Sequence, residues 1–395
     1  MGPLGSLRIL DFTTLLPGPF ASMILADLGA DVLRVESPTR IDLARVTPPL
    51  DQGGESVIHR HLNRSKRSIS LDLKQAPARE LIKRLVKDYD VVLEQFRPGV
   101  MDRLGLGYEA LKAVNPGLIY CSITGYGQDG PYRDRAGHDN NYLALSGIAE
   151  GCRHAGESPV PATIQIGDQA GGSLYGLIGL LSAVIHRHHT GQGQQVDVSM
   201  THAAFALNAT AGPAALAAGI SLPAGSGPLS GGGVYGYYPT RDGRYLSVGS
   251  LEPRFRQQLC LGLGREDLLP LALSPRPEDE TAFKEQVAGE IARRDLQDWV
   301  DAFRKVDACV EPVLDLPEAA ASELMQARGM LVDVPMQDGD SQTQIGCPLK
   351  FSATAASYRY VGAALGADNK SVLKELGLSP VEIKELIESG ALGPG

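Results

Sequence analysis

Cysteine is scarce in this chain of 395 residues. The five present, Cys121, Cys152, Cys260, Cys309 and Cys347, are odd in number, scattered and never spaced as CxxC. That pattern excludes a disulfide framework and a thiolate zinc site, and free thiols in a reducing compartment are the expectation. Excess positive charge is missing too: 37 Lys and Arg stand against 46 Asp and Glu, a formal net charge of −9. An acidic balance argues against non-specific nucleic-acid binding, although a local basic pocket for phosphate can sit on an acidic protein. Long apolar runs are absent. The most apolar window, Leu174 to Ile185, is too short to span a bilayer and is expected to be a buried helix. Met1-Gly2-Pro3-Leu4-Gly5 runs straight into a strand-like segment without a basic stretch and apolar core, so no signal peptide and no membrane partner are expected. The reading is a cytoplasmic protein without internal repeats or a low-complexity tail.

What is present is an alternation of strand and helix patterns. Leu7 to Phe12 is a buried-strand pattern, Leu16-Pro17-Gly18-Pro19 a turn, Phe20 to Leu28 an apolar helix and Val32 to Glu36 the next strand. The unit recurs with a helix over Ala76 to Tyr89, a strand at Val91 to Glu94, a helix at Tyr108 to Val114 and a strand at Leu118 to Ile123. Such alternation predicts an α/β fold: a doubly wound, Rossmann-like parallel sheet covered on both faces. The length favours more than one domain. Residues 1–205 are expected to form the large domain, 206–233 a linker, 234–325 a smaller α+β domain, and 326–395 a segment returning to the large domain. The smaller domain opens with a β-hairpin, Tyr235 to Pro239 and Arg244 to Val248, turning at Asp242-Gly243.

A doubly wound sheet invites a dinucleotide, and two features imitate one. Glu36 ends the second strand, and Gly125 to Gly130 spells GxGxxG. The first turn carries Pro17-Gly18-Pro19 in place of the glycine fingerprint, however, and the GxGxxG run leads into the polar loop Pro131-Tyr132-Arg133-Asp134 and opens no helix. A nicotinamide or flavin is therefore not expected. His186-Arg187-His188-His189 ends an apolar helix before Thr190-Gly191, where favourable charge at a helix C-terminus explains it better than a metal.

The chemistry concentrates in Gly137-His138-Asp139-Asn140-Asn141-Tyr142 and in Ile166-Gly167-Asp168, which is followed by a run of small residues. Histidine titrates nearest neutrality, and an aspartate between small neighbours can be approached closely by a substrate. An imidazole and a carboxylate on two sides of one pocket can take a proton from one face of a carbon and return it to the other.

These residues, with Leu7-Arg8-Ile9-Leu10-Asp11-Phe12, Ala26 to Val32, Phe96-Arg97-Pro98-Gly99-Val100, Leu104-Gly105-Leu106-Gly107 and Gly125 to Pro131, resemble the family III CoA-transferase superfamily of the CaiB/BaiF type nearly end to end. Within it, the His-Asp pair before Asn-Tyr is similar to that of the α-methylacyl-CoA racemases, with Asn140 where isoleucine is common. The resemblance implies an acyl-CoA substrate, no separate cofactor and no metal. It implies His138 and Asp168 as opposed acid/base groups, Glu252 orienting the His138 ring, and Gly137, Asp139 and Tyr235 in contact with substrate. By the same resemblance His138 takes the proton of the 2S substrate and Asp168 that of the 2R, and hydrogen bonds at the start of the helix after His138 steady the enolate. Cations for the CoA phosphates are expected from Lys66 and Arg97, with Arg34 and Arg64 as further candidates. The alternative is a CoA-transferase in which Asp168 is a nucleophile forming an acyl anhydride. Members of the superfamily form interlocked-ring homodimers, so a homodimer is implied. Ile164 and Ser37 replace residues found in close relatives, and the acyl group is not specified.

Overall fold

Short apolar runs become the strands of one parallel sheet in the computed structural model, which describes residues 2–395. Among the described residues these are β1 (Arg8–Asp11), β2 (Asp31–Glu36), β3 (Arg67–Ser70), β4 (Val91–Glu94), β5 (Ile119–Thr124) and β6 (Gln195–Ser199), in the order β3-β2-β1-β4-β5-β6. In β1 to β5 nearly all strand residues are buried because both faces are covered, whereas in the edge strand β6 only Val198 and Ser199 are. Leu10, Leu33 and Val92 pack on one side with the helix Ala76–Leu85 and with Leu373 and Leu386 near the C-terminus. Ile9, Val32 and Val91 pack on the other with Leu25 and Leu180.

The sheet belongs to a unit made of Met1–Ser146, Ala162–Asn208 and Leu324–Gly395. A smaller unit takes Gly147–Pro161 and Ala209–Glu323. The excursion at 147–161 has no sequence signal. The expected linker is partly ordered, with Ala211–Ala218 forming a helix after the short helix Met200–Ala206. In the smaller unit β7 (Gly236–Pro239), β8 (Tyr245–Val248) and β9 (Val310–Pro312) form an antiparallel sheet. Gly243, at φ +75°, closes the hairpin as its Asp-Gly pair predicts. Its core is built on Phe283 and Trp299, whose indole N–H donates to Ile291 O at 2.9 Å. The strands β10 (Leu331–Pro335) and β11 (Ser341–Ile345) form an antiparallel ribbon in the larger unit that alternation along the sequence did not reveal.

Strand order reverses between β1 and β4. Loops leaving their carboxyl ends run in opposite directions, which opens a crevice where open α/β sheets bind ligands. Gln95 bridges it: its side-chain oxygen accepts from Gly18 N at 3.0 Å and its amide donates to Thr14 O at 2.6 Å.

Beneath the neighbouring loops Arg34, Arg64 and Lys66, expected as cations for the CoA phosphates, are folded inward. Arg34, Arg64 and Lys66 are each no more than 1% exposed. Arg34 pairs with Asp42 and with Glu36 at 2.9 Å, Arg64 grips Asp27 through two bonds of 2.9 and 2.7 Å, and Lys66 lies 3.7 Å from Asp11 while donating to Pro19 O and Asn63. Glu36, which could have mimicked a ribose-binding acid, also accepts from Arg45 and Ser68. Cations are buried here because carboxylates neutralise them. Burial presses Lys66 down to about 7 and, aided by Arg34, holds His59 neutral. Among the described residues no helix is long and apolar enough to cross a membrane. The apolar helix Tyr175–Thr190 is only partly covered, since Ile178 and Ile185 are each 60% exposed.

Arg64→Ala leaves Asp27 in the interior without its ion-pair partner. We expect a loss of about 3–5 kcal/mol of stability, read as a lower urea midpoint, with Arg64→Lys retaining part of it.

Candidate active site

The crevice at the reversal holds a cavity of about 400 Å³. Its floor comes from strand ends: Leu15 and Pro17 after β1, Gln95 to Pro98 after β4, and Gly125 and Tyr126 after β5. Gly137, His138, Tyr142 and Asp168 complete it. The two motifs that the sequence singles out are therefore in one cavity, joined there by Arg97.

His138 is the exposed residue just before the helix Asp139–Leu145, with extended backbone at φ −129° and ψ 175°. Its N–H donates to Asn141 Oδ1 at 3.0 Å, and its carbonyl receives the amides of Asn141 and Tyr142, so the backbone that carries the imidazole is fixed from three sides. Tyr142 donates its hydroxyl to Gly137 O at 2.6 Å and meets Tyr126 edge-on at 5.4 Å. A Cβ at Gly125 or at Gly137 would come within 2.7 Å of the Tyr142 ring, so both positions require glycine.

Asp168 is the second residue of a π-helical turn, Gly167–Leu174, that continues into Tyr175–Thr190. Such turns are rare and gather at functional sites. Small residues permit this one: Gly171 and Gly172 pack against Met200, and Ser173 donates to Pro17 O at 2.6 Å, fastening the turn to the loop after β1. Asp139, at the first helical position after His138, is buried and accepts the Asp168 N–H at 3.0 Å. It supports the second carboxylate from below, where the sequence reading had it touching substrate. Burial, reinforced by the charge of Asp139 and opposed by His138, lifts the Asp168 carboxyl to about 6. A carboxyl so raised exchanges protons near neutrality.

Other candidates lie elsewhere. Arg34, Arg64 and Lys66 are the buried ion-paired groups described above and line no part of this cavity. Glu252 and Tyr235 belong to the smaller unit, Glu252 immediately before the helix Pro253–Leu263 and both exposed. Two lining residues carried no sequence signal. Arg133 and Arg135 line the cavity from the loop dismissed with the GxGxxG run. Glu94 ends β4 beneath Gln95 to Pro98, accepts the Phe96 N–H at 2.8 Å and is raised by burial to about 7. Among the described residues no cluster of three or more His, Cys, Asp or Glu could hold a metal.

The chain belongs to CoA-transferase family III, whose family model matches residues 4–369. It is 35% identical over 386 residues to the alpha-methylacyl-CoA racemase of Homo sapiens, spanning 97% of this chain and 96% of that protein. It is also 32% identical to the succinate–glutarate CoA-transferase of Agrobacterium fabrum, over 95% of this chain and 96% of the relative. A CaiB/BaiF family protein from Brucella suis of solved structure superimposes with a TM-score of 0.82 at 30% identity, covering 95% of this chain and 99% of that one.

Asp139→Asn keeps an acceptor for the Asp168 amide and removes the neighbouring negative charge. In a carbon-detected NMR titration the Asp168 carboxyl is expected to titrate near 6 and to move lower in the variant. Because its value is raised from 3.8, its contribution to stability is full below that value and lost as pH rises through about 6.

Proposed function

We propose that the protein interconverts (2R)- and (2S)-2-methylacyl-CoA thioesters by moving one proton between the two faces of the α-carbon. The observation that carries this reading is the presence of His138 and Asp168 on one cavity, with the Asp168 carboxyl lifted to about 6. With a 2R substrate the Asp168 carboxylate takes the α-proton, the electron pair delocalises onto the thioester oxygen, and an imidazolium at His138 returns a proton to the opposite face. With a 2S substrate the neutral imidazole is the base and the Asp168 carboxylic acid is the donor. Asp139 tunes Asp168, and the free amides at the start of the helix after His138 meet the enolate oxygen. Coenzyme A enters as part of the substrate, and Arg97 is the cation proposed for it. Glu252, as the group that orients the His138 ring, and Tyr235, as a lining residue, rest on the family resemblance alone. A homodimer is implied by the same resemblance, and the apolar side chains of Ile178 and Ile185, left open on one helix, support it.

Purified protein incubated with (S)-2-methylacyl-CoA in heavy water, with no added acid, is expected to incorporate deuterium at Cα and to form the other epimer. His138→Ala and Asp168→Asn are each expected to lose racemisation by roughly 10²- to 10⁴-fold. His138→Ala should still exchange the α-proton of the 2R epimer, and Asp168→Asn that of the 2S. The 32% identity to a CoA-transferase supports a second reading. There Asp168 attacks the thioester carbonyl, expels the CoA thiolate and holds the acyl group as an anhydride. Absence of deuterium uptake, with CoA transfer on adding a second acid and trapping of Asp168 by hydroxylamine, would establish that reading. Sedimentation at assay concentration is expected to give a dimer, and an active monomer would contradict it.

A further inference from the structure

Positive charge is in surplus around the cavity. Arg97, Arg133 and Arg135 all line it, and Asp168 is the one carboxylate among its lining residues. None of the three guanidiniums has an ion-pair or hydrogen-bond partner among the described residues, unlike Arg34 and Arg64 in the interior. Like charges gathered without counter-ions raise the local potential and recruit an anion.

One of these arginines is also held in place. The Arg135 guanidinium lies 3.8 Å from the centre of the Tyr132 ring. Tyr132 packs against Tyr126 at 5.7 Å, and Tyr126 against Tyr142, whose hydroxyl is bonded to Gly137 O beside His138. Arg135 is thus stacked on the aromatic chain that positions the acid/base segment, and stacking reduces the entropy lost when it grips a ligand.

We propose that Arg133 and Arg135 form an oxyanion subsite of this cavity, taking a phosphate or carboxylate that the substrate carries beyond its reacting thioester. The proposal rests on the acyl-CoA reading. Planar guanidiniums bind both anions by paired charge-assisted hydrogen bonds, so a CoA phosphate and the far carboxylate of a dicarboxylyl group share this chemistry.

The test uses the full chain, wild type against the Arg133→Ala/Arg135→Ala double variant and Arg135→Lys, with three thioesters. These are a monocarboxylic 2-methylacyl-CoA, the same acyl group on pantetheine, and a 2-methyl-dicarboxylyl-CoA with a free terminal carboxylate. Both side chains are exposed, so the variants should melt like wild type. The double variant is expected to raise KM about 10- to 100-fold with little change in kcat, and Arg135→Lys to restore only part of the loss. A rise on both CoA esters that is absent on the pantetheine ester identifies a phosphate. A rise confined to the dicarboxylyl ester identifies the acyl carboxylate. Unchanged KM on all three esters overturns the subsite while leaving the racemase reading intact. Should wild type turn over none of them, calorimetric binding of the same CoA esters separates the two ideas: weaker binding by the double variant supports the subsite, and equal binding overturns it.

Discussion

The site depends on one topological constraint, the reversal of strand order between β1 and β4. Parallel strands deliver their loops to the same edge, but only where adjacent loops diverge does that edge open. Gln95, after β4, holds the opening by bonding to Gly18 N and Thr14 O in the segment after β1. Ser173 ties the turn that carries Asp168 to Pro17, in the loop after β1. The catalytic candidates are thus fixed to the rigid sheet by a few polar contacts made across the reversal.

Burial sets the chemistry of the groups gathered there. Asp139 accepts the amide of Asp168 and at the same time presents it with a like charge, so one residue both positions the second carboxylate and weakens its acidity. Where the chain needs fixed charge it does the opposite: Arg64 and Arg34 are surrounded by carboxylates and withdrawn from solvent. The arginines of the cavity are left without such partners. The contrast separates structural cations from those available to a ligand, which a count of basic residues cannot do.

Local pattern revealed much of this. The βαβ alternation predicted a parallel sheet, because strands buried on both faces read as continuous apolar runs such as Val91-Val92-Leu93. The Asp242-Gly243 turn was legible because a positive φ selects glycine. His138 and Asp168 were legible as reactive residue types in glycine-rich surroundings. That Arg64 and Lys66 are interior was not legible, since their partners Asp27 and Asp11 are distant in sequence. Arg133 and Arg135 were passed over because nothing local distinguishes a solvated loop from the wall of a cavity.

The sequence by itself determined the alternation of elements and the residue types able to carry protons, because these follow from short-range pattern, and its motifs resemble those of the family to which the chain belongs. Tertiary structure alone decided that Asp139 lies under Asp168, that Arg34, Arg64 and Lys66 are interior while Arg97, Arg133 and Arg135 face a cavity, and that Asp168 is raised toward neutrality. Those properties depend on which distant segments exclude water from a given atom and which charges they bring near it, and neither is fixed by neighbours along the chain.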